Sequence, residues 1–247
     1  MVLDYAKGGS FNNLIKRDNS WYDNINRLKY TIKGLAEIHE KNMVHRDFHT
    51  GNILLGGRAA FISDMGLCGE VNNVDATKIY GVMPYVAPEV LRGKPYTQAA
   101  DIYSLGMVMY FVATGRQPFA DRAHDQDLAL SICNGIRPEI FEKESPKCYI
   151  DLVKKCWDPN PDNRPNAIEI VDEIRNLRYS SYEETVKQFE EAWKYKKTNH
   201  SSIENNQTTI HPQAIYTSRL LNPYTKDLPK YDNINNNSVE VTDFTKL

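Results

Sequence analysis

The stretch VHRDFHTGN, residues 44–52, sets Asp47 five residues before Asn52, with His49 between them and hydrophobic runs on either side. A second acid, Asp64, follows across the short apolar runs ILL and RAAFIS, which flank Gly56-Gly57 and read as a β-hairpin. With Gly56-Gly57 as a two-residue turn, Leu55 faces Arg58, Asn52 lies opposite Phe61, and Asp64 lies opposite His49. A different turn length shifts the pairing by a position or two without separating the ends. Asp47, His49, Asn52 and Asp64 are therefore expected to meet at the open end of the hairpin. Taken singly, Asp47 and Asn52 read as residues that close local turns. Their convergence with Asp64 points to chemistry instead. Mg2+ is a hard ion that takes oxygen ligands, usually one or two carboxylates plus substrate phosphates. Asn52 and Asp64 can supply protein oxygens, and Asp47 can accept or orient the proton of an incoming hydroxyl.

The elements that must position these groups are mostly helical. Ile25, Leu28, Ile32 and Leu35 recur at helical spacing within 21–41, with Asp23, Lys29, Lys33 and Glu37 around the rest of the wheel. The run DIYSLGMVMYFVATG is too short and too polar at its start to span a bilayer, so it reads as a buried helix over 98–114 that stops at Gly115. Further helices are expected over about 124–134, 146–157, 164–177 and 181–197. Residues 66–80 read as a long loop, of the kind that is functional or mobile. Beyond Thr198 the chain is rich in Asn, Ser and Thr, and disorder or a loosely docked tail is expected.

Composition narrows the class. The 247 residues are 41% hydrophobic and 25% charged, as in an ordinary globular protein, and the net charge of −2 gives no global field for nucleic acid or acidic membranes. Neither partner is expected. Cys68, Cys133, Cys148 and Cys156 form no C-x-x-C pair, which argues for reduced thiols in a cytoplasmic protein. MVLDYAKGGS lacks the features of a signal peptide.

Five segments, taken in order, resemble the eukaryotic protein kinases, specifically their C-terminal lobe. HRDFHTGN, 45–52, is similar to the catalytic loop H-R-D-L-x-x-x-N, with Phe48 for Leu. SDMG, 63–66, stands where D-F-G is expected, with Met65 for Phe. YVAPE, 85–89, resembles the end of the activation segment, and DIYSLG, 101–106, the start of the large central helix. CWDPNPDNRP, 156–165, is similar to the C-W-x-x-x-P-x-x-R-P element of tyrosine and tyrosine-kinase-like kinases. The resemblance implies a mainly α, protein-kinase-like C-lobe: a helical bundle with a small catalytic β-hairpin. It places the kinase domain at 1–178 and a tail at 179–247.

By the same resemblance, Asp47 is the catalytic base, Asn52 a metal ligand, and Asp64 the ligand of the Mg2+ that bridges the ATP phosphates. His45 belongs to the loop motif. Arg46 meets a phosphorylated activation segment, with Thr77 and Tyr80 as acceptors. Glu89 pairs with Arg164 in a buried bidentate bridge. Asp101 braces the catalytic loop through backbone N–H groups, or is simply an acid in a favourable first helical turn. Leu3 takes the gatekeeper position, Asp4 to Ala6 the hinge at adenine, and Leu54 the adenine floor. The N-lobe β-sheet is expected to be missing, since the resemblance begins at the hinge and G-x-G-x-x-G does not occur. Weak or no ATP binding by the isolated chain follows, as does an apolar face for a protein partner where that lobe would pack.

Two departures bear on substrate class. His49 stands where many Ser/Thr kinases have Lys, and H-x-D-x-H-x-x-N is similar to small-molecule kinases of the aminoglycoside and choline type. YVAPE and CWDPNPDNRP favour a protein substrate. His49 can donate to a phosphate oxygen, more weakly than Lys near neutral pH. Val82 replaces the usual Thr of Ser/Thr kinases. The Cys-Trp element leans toward the tyrosine-kinase-like group and Ser/Thr specificity. The alternative is a non-catalytic, kinase-like binding module.

Overall fold

The structure, a computed structural model, describes residues 7–14, 20–57, 59–71, 78–179, 182–198 and 210–229. Its first long element is α1, Trp21–Glu40. Ser20 caps it by accepting from the Asp23 N–H at 3.1 Å. Ile25, Leu28, Ile32 and Leu35 are buried on one face, which packs against β3 (Ala59–Ile62) and α6 (Ala167–Tyr179).

The centre of the molecule is α3, Gln98–Thr114, buried along its whole length from Ala100. A helix apolar all round must be enclosed on every side. Thr97 caps its start, and Gly115 ends it with φ 71°, a left-handed turn that glycine adopts without strain. α5 (Lys147–Cys156) lies against it. A Cβ on Gly106 would come within 3.1 Å of the Cys156 Cβ, so the close approach depends on glycine. The remaining helices are α2 (Pro88–Leu91), α4 (Gln126–Cys133), α7 (Glu183–Thr198) and α8 (Asn222–Thr225).

Three small antiparallel ladders complete the described fold. β1 (Met43–Val44) pairs with β4 (Gly69–Glu70), and β2 (Ile53–Gly56) with β3. Residues 45–52 and 63–68 are thus two loops strung between the same two ladders. The hairpin register differs from the expected one: Leu55 faces Ala60 and Gly56 faces Ala59, so the loop positions are 57 and 58. Gly57 takes φ 65°, which suits a tight hairpin turn. The shift spans two positions, so it leaves Ile53 and Leu55 on the core face.

The third ladder joins distant parts of the chain. β5 (Tyr80–Gly81) pairs with β6 (Arg219–Leu220). Beyond Thr198, where disorder or a loosely docked tail is expected, residues 210–229 are held by backbone bonds that no periodicity reveals. The His211 N–H donates to Ala120 O at 2.9 Å, and the Leu221 N–H to Ile79 O at 2.7 Å. The Ile79 N–H donates to Asn222 Oδ1 at 2.9 Å, and Leu221 is fully buried. Buried His124 binds the same segment: its backbone N–H donates to Gln213 O, and its Nδ1 accepts from the Ile215 N–H at 3.0 Å. Burial lowers the His124 pKa below the usual imidazole range, against the pull of the Ile215 and Phe119 backbone bonds.

Glu89 on α2 and Arg164 are joined by two hydrogen bonds, Nη1 to Oε1 at 2.7 Å and Nη2 to Oε2 at 2.9 Å. Arg164 also donates to Ala99 O and Asp158 O and lies over the Tyr103 ring. Removing one partner of such a pair leaves a buried charge. Arg164→Ala should therefore cost about 3–5 kcal/mol, read as a large drop in melting temperature. An unchanged melting temperature would show that this bridge does not hold the segment.

Candidate active site

The two loops between the ladders bring Asp47, His49, Asn52 and the start of the Asp64 turn together. Asn52 sits where the loop meets β2, and its amide faces back into the loop. Its Nδ2 donates to Asp47 O at 2.9 Å and approaches Asp47 Oδ2 at 3.4 Å. With its donor group turned to Asp47, the oxygen Oδ1 is what Asn52 has left for a cation. Across the ladder, the Ser63 N–H and hydroxyl both reach Asn52 O, at 2.8 and 3.0 Å. Asp64 is the next residue, so the hairpin register itself brings it to Asn52. Asp64 has φ 58° and accepts from the Gly66 N–H at 3.4 Å. Its side chain is exposed.

Asp47 keeps 6% of its exposure, and its Oδ1 is buried with no hydrogen-bond partner among the described residues. The nearest cationic or polar ring atom is His49 Nε2, at 3.7 Å. His49 is itself buried, and its Nδ1 accepts from the Gly51 N–H at 3.1 Å. In the neutral ring this places the proton on Nε2, the nitrogen nearest Asp47.

His45 is fully buried and joins both loops. Its Nε2 donates to Ser63 O at 3.1 Å, while its Nδ1 accepts from the Asp47 N–H at 3.3 Å. Arg46 takes φ 70°, uncommon for a residue with a Cβ, and its Nη2 donates to Glu70 O at 2.9 Å. Asp101, in the first turn of α3, spans this strained point. Its Oδ2 accepts from the His45 N–H at 2.7 Å and its Oδ1 from the Arg46 N–H at 3.0 Å. The His39 Nε2 reaches Oδ2 at 3.0 Å.

Leu54 is half-buried and faces away from the core side taken by Ile53 and Leu55. Leu3, Asp4, Ala6 and Thr77 lie outside the described residues. Tyr80 is exposed and forms part of β5. Buried Val82 precedes the turn Met83–Tyr85 and offers no hydroxyl there. The position of a Cβ on Gly81 lies 3.8 Å from Asp47 Oδ1, which puts β5 at the rim of the site. Sequence reasoning missed one network. Thr50 Oγ1 and Tyr85 Oη are 3.2 Å apart, the Tyr85 O–H donates to Gln117 Oε1 at 2.7 Å, and the Gln117 amide returns to Thr50. Its members are too far apart in sequence to give a local signal. It ties the loop 45–52 to the segment that ends at Glu89.

Among the described residues, no three His, Cys, Asp or Glu side chains could cage a metal. Asn52 and Asp64 alone fit a cation whose other ligands are phosphate oxygens and water.

This pairing of a loop Asp and Asn with an Asp on the next turn, braced by a buried helix, is the arrangement of a protein kinase domain. The family model of that domain matches residues 1–174, and the chain belongs to the protein kinase family. The chain is similar to serine/threonine-protein kinases. It is 34% identical to a probable one from Dictyostelium discoideum over 60% of this chain and 9% of the relative. With PkwA of Thermomonospora curvata, described as a probable serine/threonine-protein kinase, it shares 32% over 70% and 24%. With serine/threonine-protein kinase STY17 of Arabidopsis thaliana it shares 28% over 72% and 32%. The chain spans less than a third of the length of each.

The Asn52 contacts give a direct check. Asn52→Ala removes the donor to Asp47 O and should lower stability by about 1 kcal/mol. Asn52→Asp should cost more, since it sets a second carboxylate against Asp47. Denaturant unfolding at neutral pH measures both, and equal stabilities for the two variants would contradict the contact.

Proposed function

We propose that this chain carries the phosphoacceptor half of a Ser/Thr protein kinase of the tyrosine-kinase-like group, with residues 1–178 as the kinase domain and 179–247 as its tail. The supporting observation is Asp47 Oδ1: a buried carboxylate oxygen without a donor lacks what a substrate hydroxyl would supply. The hydroxyl hydrogen-bonds to Oδ1 and passes its proton there as its oxygen bonds to the γ-phosphorus of ATP. The bond from phosphorus to the β–γ bridging oxygen breaks, and ADP leaves. Asn52 and Asp64 would hold Mg2+, which would neutralise charge on the phosphates. His49, its Nε2 beside Asp47, orients that carboxylate and faces the transferred group. Leu54 forms the adenine floor, and Leu3, Asp4 and Ala6 the hinge. Arg46 and a phosphorylated Tyr80 or Thr77 set the activation segment.

Protein hydroxyls are the proposed substrate class: the Glu89–Arg164 bridge fixes α2, and the Thr50–Tyr85–Gln117 network ties the turn Met83–Tyr85 to the loop that carries Asp47. Phe61, Met65 and Leu67 are exposed close to Asp64 in sequence and offer an apolar surface to a protein partner. Neither nucleic acid nor membrane is proposed as a partner; among the described residues no helix is long and apolar enough to cross a membrane. All four cysteines are unpaired, in keeping with a cytoplasmic setting.

The test is phosphate transfer from labelled ATP to protein substrates by the protein, followed by phosphoamino-acid analysis. Phosphoserine and phosphothreonine are expected, with a loss of about 10²–10⁴-fold in Asp47→Asn. Activity unaffected by Asp47→Asn would refute the assignment of the base. A phosphotyrosine product would refute the specificity.

A further inference from the structure

The tail docks at the rim of the site. β6 pairs with β5 so that Arg219 lies opposite Gly81 and Leu220 opposite Tyr80. Gly81 is also the residue whose Cβ position is 3.8 Å from Asp47 Oδ1. A Cβ there would meet Val86 Cγ2 at 2.9 Å, and Gly81 has φ 144°, so this point of β5 accepts only glycine. An extended peptide that brings a hydroxyl to Asp47 runs past this residue, and the β5 backbone is the edge it can bond. Strand addition of this kind draws affinity from main-chain hydrogen bonds and specificity from side-chain pockets.

The tail uses both. Leu221, immediately after β6, is fully buried and bonded to Ile79 O. The Tyr216 O–H donates to Pro118 O at 2.9 Å, and its ring meets His124 edge-on at 4.8 Å. The Arg219 guanidinium turns away from the acids of the site, donating to His124 O at 2.6 Å and lying over the Tyr224 ring at 4.5 Å. The hydroxyl-bearing residues next to β6, Thr217 and Ser218, are exposed, whereas Asp47 Oδ1 is buried and has no hydrogen-bond partner among the described residues. The tail therefore occupies the peptide edge without offering Asp47 a hydroxyl.

We propose that residues 210–229 are an intramolecular occupant of the substrate-peptide edge on β5, which a protein substrate must displace to reach Asp47. The proposal rests on the reading of Asp47 as the catalytic base. It makes the tail an autoinhibitory strap. Tethering keeps such a segment at a high local concentration, so even a weak strand pairing competes with free peptide.

The experiment compares three forms: the full chain, the chain ended at residue 209, and full-length Leu221→Asp, which disfavours docking without shortening the chain. The probe is a labelled peptide library with a central Ser or Thr, with binding read by anisotropy, and an unlabelled 210–229 peptide as competitor. Thermal melting identifies any form that does not fold, and the remaining variant then decides. Both released forms should bind the library about tenfold more tightly or better, and the 210–229 peptide should displace it competitively. Equal affinity in folded released and intact forms, or a 210–229 peptide that binds without displacing the library, would overturn the proposal. The same comparison in Asp47→Asn separates the two claims. Tighter binding on release there, alongside transfer activity that survives Asp47→Asn, would retain the strap as a docking element and reject the catalytic reading.

Discussion

One buried carboxylate sets the geometry on which the site depends. Asp101 takes two successive backbone N–H groups, those of His45 and Arg46, on its two oxygens. In a regular strand two consecutive N–H groups point to opposite sides. The loop presents them because Arg46 sits in the left-handed region, a conformation that costs energy and persists only where the surroundings enforce it. The acceptor is rigid because it rises from the first turn of a helix buried on every side. The direction in which Asp47 leaves the loop is thereby referred to the most fixed element of the molecule.

The same helix also positions the segment that ends at Glu89. The Ser104 hydroxyl donates to Tyr85 O at 2.7 Å, one turn beyond Asp101. Tyr85 in turn reaches Thr50 in the catalytic loop and Gln117 just beyond the helix. Glu89 is clamped by an arginine that also bonds Ala99 O, at the start of α3. Loop and segment are thus two attachments to one rod. A shift of the rod moves both together and preserves the spacing between Asp47 and Gly81. On the proposed reading, that spacing separates the proton acceptor from the peptide edge.

Much of this was legible in the residues, and the rest was hidden for physical reasons. α3 was readable to its ends because its apolar run stops at a glycine that can take a positive φ, and α1 because four apolar residues recur on one face. The convergence of Asp47, Asn52 and Asp64 followed from the hairpin even though its register was placed two positions off. Two adjacent glycines do not reveal which of them opens the turn. The docked tail could not be read. Its hold is backbone pairing to β5 and bonds to His124, and neither leaves a periodic trace in a segment rich in polar residues. The Thr50–Tyr85–Gln117 network was hidden for a related reason, being a contact of single residues across the fold. Chemistry carried by closely spaced side chains was visible, whereas chemistry carried by main chain and by distant partners was not.

The kinase loop, the segment beside it and the tail on that segment form a chain of dependence that begins at Asp101. Residue-resolved amide hydrogen exchange in the wild-type protein and in Asp101→Ala tests its first link most directly. The N–H groups of His45 and Arg46 should exchange slowly in the wild type. In the variant they should exchange roughly ten- to a hundredfold faster, as expected for losing a bond to a charged acceptor, while the core amides of α1 keep their protection. Unchanged exchange at His45 and Arg46, with the fold intact, would show that the loop holds its shape without Asp101 and would contradict the account.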